Sequence, residues 1–347
     1  MPGNSLLWFR NDLRLHDNPV LRRALETSEA VLPVYCIDPR HFRKLALGFP
    51  KCGAHRATFL RQCLDDLRTR LRSIGGDLLV VRGQPATVLA ELVRIYDIEA
   101  VYAQRLITHE EQQDEAAVRD AVAAFNCRLK LDWSHLLYHA DDIAFAPEQT
   151  PATFKTFRKW LRKKGRPRQP MPAPKAWPLL TGPDYGPTPE LPEAGAPAYP
   201  GGETAARQRL QYYLFDSELL TRYKWTRNRS LGDDYSSKFS PYLAHGCLSP
   251  RDIYHAVKQY ERSVKKNIST YWLGFELKWR EFFQYLAMKH GNRIFRAGGI
   301  KARPIDWRAD RALFQRWCAG QTGIPFVDAH MQQLNRTGFL SNRGRVN

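Results

Sequence analysis

A doubly wound parallel α/β domain, joined by a long Pro-rich connection to an all-α second domain, is the fold class the sequence predicts, and three observations predict it. Short apolar runs of strand length alternate with amphipathic stretches as far as about Asp132. Thirteen of the 23 prolines fall from Pro147 to Pro200. Beyond Gly202 the periodicity turns helical. The 347 residues suffice for two cores of ordinary size.

Strands are expected at Leu6–Phe9, Ala30–Tyr35, Leu78–Val81, Ala100–Tyr102 and Leu129–Leu131, each bounded by polar or turn residues. Helical periodicity between them covers His55–Ile74, Ala86–Ile95 and Glu110–Ala124, the alternation that right-handed parallel crossovers require. The first strand runs into Arg10-Asn11-Asp12-Leu13-Arg14 rather than a G-x-G-x-x-G turn, so a standard dinucleotide site is not expected there. Proline blocks helix interiors and sheet ladders, which makes 136–201 an inter-domain connection between a domain at 1–135 and a helical one at 202–347. Within it, Phe154 to Arg168 is a basic helix or arm, read as a solvated charged face ahead of a specific nucleic-acid contact. Helices are expected again at Glu203–Tyr213, Pro250–Tyr260, Thr270–Lys289 and Arg311–Ala319.

Lys and Arg outnumber Asp and Glu by 53 to 35, a formal charge of +18, which implies a polyanionic partner with nucleic acid as first candidate. The six cysteines stand apart with no C-x-x-C pair and read as reduced thiols. Met1 to Ser5 leads straight into the first strand, and no apolar run is long enough to span a bilayer, so a cytoplasmic location without membrane attachment is expected. No metal-ligand spacing and no nicotinamide motif is found.

Three segments carry chemistry. In Tyr235-Ser236-Ser237-Lys238-Phe239-Ser240-Pro241, three hydroxyls and a cation crowd a helix start, which suits a diphosphate, although serines there also serve as plain caps. In Glu276-Leu277-Lys278-Trp279-Arg280-Glu281-Phe282-Phe283, a carboxylate, an indole and a guanidinium share one helix face with Phe283, a face poorly suited to core packing. Thr337 to Arg345 sets a turn before Asn342, Arg343 and Arg345.

Taken in order, Leu7-Trp8-Phe9-Arg10-Asn11-Asp12-Leu13-Arg14-Leu15-His16-Asp17-Asn18, the serine cluster, the E-L-x-W-R-E-F-F helix and Ser341-Asn342-Arg343-Gly344-Arg345 resemble the photolyase/cryptochrome family over essentially the whole chain. Tyr223-Lys224-x-Thr226-Arg227-Asn228 and Gly201-Gly202-Glu203-Thr204 resemble its DASH branch. The resemblance implies a helical FAD-binding domain in which Tyr223, Ser236, Ser237, Lys238, Phe239 and Ser240 hold a bent FAD, with Arg280, Asn342 and Arg345 near it. It assigns DNA contacts to Arg227, Glu276, Trp279, Arg280, Phe283, Asn342 and Arg343. Glu276, Trp279 and Asn342 would act on the lesion, and Trp307 would be the surface end of an electron-hopping chain. Glu110 and Glu111 resemble the acidic pair that binds a folate antenna, 5,10-methenyltetrahydrofolate, at the sheet's carboxyl edge, although an acidic first helical turn is also favoured by the helix dipole.

The activity so implied is FAD-dependent, blue-light-driven repair of cyclobutane pyrimidine dimers, chiefly in single-stranded DNA, by a monomer. A flavin photoreceptor without repair, and a nucleic-acid-binding fragment without flavin, are the alternatives. The family pattern continues past Val346-Asn347 through helices carrying further FAD contacts and inner tryptophans. The FAD domain is therefore expected to be C-terminally incomplete, with an open cup and exposed apolar surface beside it.

Overall fold

In the computed structural model, which describes residues 3–346 apart from 144 and 196, five strands form one parallel sheet. They are β1 (Asn4–Phe9), β2 (Val31–Ile37), β3 (Leu79–Arg82), β4 (Ile98–Gln104) and β5 (Arg128–Asp132), in the order β3-β2-β1-β4-β5. The central strands are apolar almost throughout because helices cover both faces. Those helices are α1 (Pro19–Thr27), α2 (Ala54–Arg72), α3 (Pro85–Ile95) and α4 (His109–Ala123). All five expected strands and three expected helices form, whereas α1 was not anticipated. Its start signals are ordinary ones: Asn18 accepts a hydrogen bond from the Leu21 amide at 3.2 Å, and Pro19 opens the first turn. Strand order reverses about β1, which places a crevice at the carboxyl ends of β1 and β4.

The proline-rich stretch is strapped to the sheet rather than loose. The Trp177 indole donates to the Val31 carbonyl at 3.0 Å, and the Val31 amide donates to Pro178 at 2.7 Å. Within the stretch, α5 (Phe154–Lys164) buries Phe154, Phe157 and Leu161. The remainder is helical: α6 (Glu203–Gln211), α7 (Tyr223–Thr226), α8 (Ser240–His245), α9 (Pro250–Ser263), α10 (Ile268–His290), α11 (Arg311–Ala319), α12 (Pro325–Thr337) and α13 (Asn342–Val346). No described helix is long and apolar enough to cross a membrane.

The segment following β1 binds the helical region to the sheet. Arg14 is fully buried and donates to the carbonyls of Gly246, Asp17 and Ser134 at 2.9, 2.8 and 2.6 Å. Asp17 pairs with Arg251 at 2.8 Å, and the Glu203 carboxylate accepts from the Leu15 amide at 2.7 Å. Gly246 must be glycine twice over: its φ is +69°, and a Cβ would stand 1.9 Å from the Asn11 carbonyl oxygen. The sequence that replaces a phosphate loop is thus an inter-domain joint.

From the helical side, Glu281 reaches back to the chain after β5 and accepts hydrogen bonds from the Leu137 and Tyr138 amides at 3.0 and 2.9 Å. Burial lifts its carboxyl to about 7 against the pull of those two amides.

Candidate functional site

The loop between α7 and α8 is shaped by a residue on α6. Arg209 donates to the carbonyls of Ser237 (3.1 Å), Asp233 (3.0 Å) and Ser236 (3.2 Å), and pairs with Asp234 at 3.2 Å. With the carbonyls tied back, the hydroxyls of Ser236, Ser237 and Ser240 have no protein partner among the described residues. They line a cavity of about 240 Å³ together with Tyr223, Arg227, Tyr235, Lys238, Phe239, Glu276, Asn342 and Arg345. The hydroxyl of Tyr235 and the Nε of Arg227 are buried there without hydrogen-bond partners.

Lys238 is the most constrained member of this cup. It takes a left-handed φ of 61°, is buried, and holds its ammonium 3.3 Å from the Tyr235 ring centre and 4.8 Å from that of Phe339. No described carboxylate lies within ion-pair distance, and burial pushes its pKa down to about 8.

The α10 face divides its residues between two places. Glu276 lines the cup and pairs with Arg227 at 2.8 Å; burial raises its carboxyl pKa and Arg227 opposes the rise. Arg280 lines an adjoining cavity of about 350 Å³ that shares Ser240 with the cup and is also walled by Gln104, His135 and Gln284. One Arg280 nitrogen donates to the His135 carbonyl at 2.8 Å, no described acid pairs with it, and burial lowers its pKa. His135 is held neutral, down at about 3, by burial and then by Arg280 and Arg14.

Trp279 and Phe283 lie outside both cavities. Trp279 stacks on Phe154 of α5 at 3.8 Å and 15°, with Phe283 at 5.7 Å and 26° on the same ledge. Phe283 is 59% exposed. Arg343 sits exposed on α13. Trp307 is 64% exposed, its indole donating to the Ala297 carbonyl at 3.1 Å. The cup thus gathers Tyr223, Arg227, the 236–240 segment, Glu276, Asn342 and Arg345, with Arg280 next door and Trp279, Phe283, Arg343 and Trp307 apart. Arg209, which shapes the loop, was missed, because nothing near it in sequence marks an arginine whose partners lie more than 20 residues on.

A third cavity of about 550 Å³ sits over the carboxyl ends of β1 and β2, walled by Trp8, Asn11, Tyr35, Thr108, Glu110 and Glu111 and closed by Phe295 from the helical region. Three of its cations are paired in place, Arg40 with Asp114 at 2.6 Å, Arg10 with Glu115, and Lys51 with Glu110, while the exposed Arg43 and Arg56 form no ion pair among the described residues. Glu111 closes a capping box, accepting from the amide and hydroxyl of Thr108 at 3.1 and 2.7 Å. The acidic pair therefore does unlike things, one member capping α4 and the other exposed in an ion pair.

The arrangement is a parallel sheet domain joined to a helical domain that holds a cationic, hydroxyl-lined cup. Residues 5–175 match the family model for DNA photolyase, and 272–347 match the FAD binding domain of DNA photolyase. A cryptochrome DASH from Natronomonas pharaonis is 46% identical over 99% of this chain and 74% of its own length. The crystal structure of a Synechocystis cryptochrome superposes with a TM-score of 0.92 at 42% identity, over 100% of this chain and 74% of that one. The chain belongs to the DASH cryptochromes of the photolyase/cryptochrome family. A photolyase from Sulfolobus tokodaii, described with two FAD molecules, shares the fold at 22% identity and a TM-score of 0.77, covering 99% of this chain and 73% of its own.

Proposed function

We propose that the chain binds FAD across the cup and the Arg280 cavity and uses it for blue-light-driven repair of cyclobutane pyrimidine dimers in single-stranded DNA. The observation that carries this reading is the set of buried or half-buried cations without acidic partners, Lys238 and Arg280, beside three unpartnered serine hydroxyls. That donor set fits an anionic diphosphate with a ribityl chain. Bound there, reduced FAD supplies the photo-excited electron that splits the dimer and is afterwards recovered.

The chain's own residues bind, orient and shield. Ser236, Ser237 and Ser240 would donate to the diphosphate, Lys238 and Arg345 would offset its charge, and Arg280 would add a cation from the adjoining cavity. Arg227 and Glu276 close the mouth as an ion pair; an arriving strand takes Arg227 on its phosphate and frees Glu276 to meet a base edge. The exposed ring of Phe283, on the ledge it shares with Trp279, offers a stacking surface on the same helix as Glu276. A single strand presents its bases without the cost of extrusion from a duplex, and a dimer, which pairs badly, costs least to extrude. For the sheet-edge cavity a second, light-harvesting chromophore is proposed, 5,10-methenyltetrahydrofolate, with a second flavin as the competing occupant.

The pairing of Glu276 with Arg227 and the stacking of Trp279 under Phe154 favour a second reading, a flavin photoreceptor without repair, because the lesion-facing groups are already engaged. One experiment separates them. Purified chain with reductant and dimer-containing single strands is illuminated, and restored pyrimidines are counted. Flavin bands with light-dependent repair support the first reading, flavin bands without repair the second, and a colourless protein removes both.

A further inference from the structure

We propose that α5 carries a second binding site for single-stranded nucleic acid, separate from the cup, in which Trp160 stacks on a base while Lys159 and Lys163 hold the flanking phosphates. The helix has spent its apolar face: Phe157 packs on Phe282 at 5.3 Å and Phe154 on Trp279 at 3.8 Å. Its outer face holds exposed cations, and no described carboxylate pairs with Lys155, Lys159, Arg162 or Lys163. Among them Trp160 is 38% exposed and is held edge-on by Phe145 at 5.1 Å and 64°. It forms one wall of a cavity of about 720 Å³ that Ile143, Thr156, Lys159 and Lys163 also line.

A solvated charged face accounts for the lysines but not for an indole fixed in a concave wall between them. Single-strand binding sites combine those two things, a cationic track and a preset aromatic platform. The local field is positive enough to act on a neighbour: the ammonium of Lys278 is pushed down by burial and then by Lys258, Arg158 and Arg162. An anionic membrane fits less well, since an interfacial helix needs a free apolar face and this one is buried on α10.

The test uses the full chain, undamaged labelled oligothymidine and fluorescence anisotropy across a salt series, in the dark. It needs neither flavin nor repair, so it can succeed or fail independently of the photolyase reading. Trp160→Ala is expected to weaken binding roughly 5- to 100-fold, with Trp160→Phe in between. Lys159→Gln with Lys163→Gln should flatten the slope of log affinity against log salt by about 1.4, two phosphates' worth for a single strand. Affinity within twofold of the parent in both variants overturns the site. So does loss of binding to phosphatidylserine vesicles with oligothymidine binding intact. Should Trp160→Ala not fold, the double lysine variant, which alters only exposed side chains, decides alone.

Discussion

The cup between α7, α8 and α10 and the cavity at the sheet edge are both lined with charge, yet they treat it in opposite ways. At the sheet edge the cations nearest the strand ends meet acids, Arg10 with Glu115, Arg40 with Asp114 and Lys51 with Glu110, and the two lining arginines without an ion pair among the described residues, Arg43 and Arg56, are exposed. In and beside the cup, Lys238 and Arg280 form no ion pair among the described residues, and burial outweighs the pull of Asp233 and Asp234 on the one and of Glu281 on the other. A buried cation without an ion-pair partner costs stability in the empty protein, a cost that an anionic ligand placed against it offsets. The difference teaches that ion pairing, rather than cavity size, separates a cavity that keeps buried cations free for an anionic ligand from one whose inner cations are already met by acids of the protein.

The sharpest way to break this comparison is Arg209→Ala. Without that guanidinium the carbonyls of Ser236, Ser237 and Asp233 lose their donor, and the loop is free to turn its hydroxyls out of the cup. FAD affinity should fall about 100-fold, while the sheet-edge occupant is unaffected, as titration of the apoprotein followed by flavin fluorescence would reveal. An equal loss at both cavities would mean that the cup has no separate architecture.

Lys238→Met ranks next and separates binding from stability. It should weaken FAD roughly 10- to 100-fold, the range for a hydrogen bond to a charged group, yet leave the empty protein melting no lower than the parent, because a buried unpaired ammonium is removed. A fall in both would show Lys238 to be a structural prop.

How far these sites could be read in the sequence depends on how local their causes are. Strands and the α10 periodicity are written in neighbouring residues, and they formed where expected. The serine cluster was legible because its hydroxyls are adjacent in the chain. Illegible were contacts whose partners are remote: Arg14 with Ser134 and Gly246, Glu281 with Leu137, Arg209 with the loop at 233–237. The pairing of Glu276 with Arg227 belongs to the same group, since α7 and α10 meet only after folding. Helix α12 escaped because its polar residues mask a thin buried stripe of His330 and Met331.

Titration sharpens the comparison further. With Lys238 at about 8 in the empty cup against an ordinary 10.5, the folded chain binds fewer protons than the unfolded chain across that window. The stability of the empty protein therefore rises with pH there, whereas FAD, which needs the ammonium, binds more weakly. Its dissociation constant should climb by up to tenfold per pH unit above about 8, and Lys238→Met should abolish the climb. A flat profile in the parent would mean that the ammonium does not face the bound ligand.

The smallest effect is expected at the sheet edge. Glu110 is exposed and its partner Lys51 is solvated, so Glu110→Gln removes an ion pair worth about 0–1 kcal/mol, a change of no more than about fivefold in the affinity of a planar occupant. Glu111→Gln can still close the capping box and should cost less than about 1 kcal/mol in melting. Both follow from partners that the carboxylates already have within the protein, Lys51 for Glu110 and Thr108 for Glu111. If Glu110→Gln instead abolished folate binding, the carboxylate would be acting on the ligand directly, and the sheet-edge cavity would join the cup as a site that holds charge in reserve for its occupant.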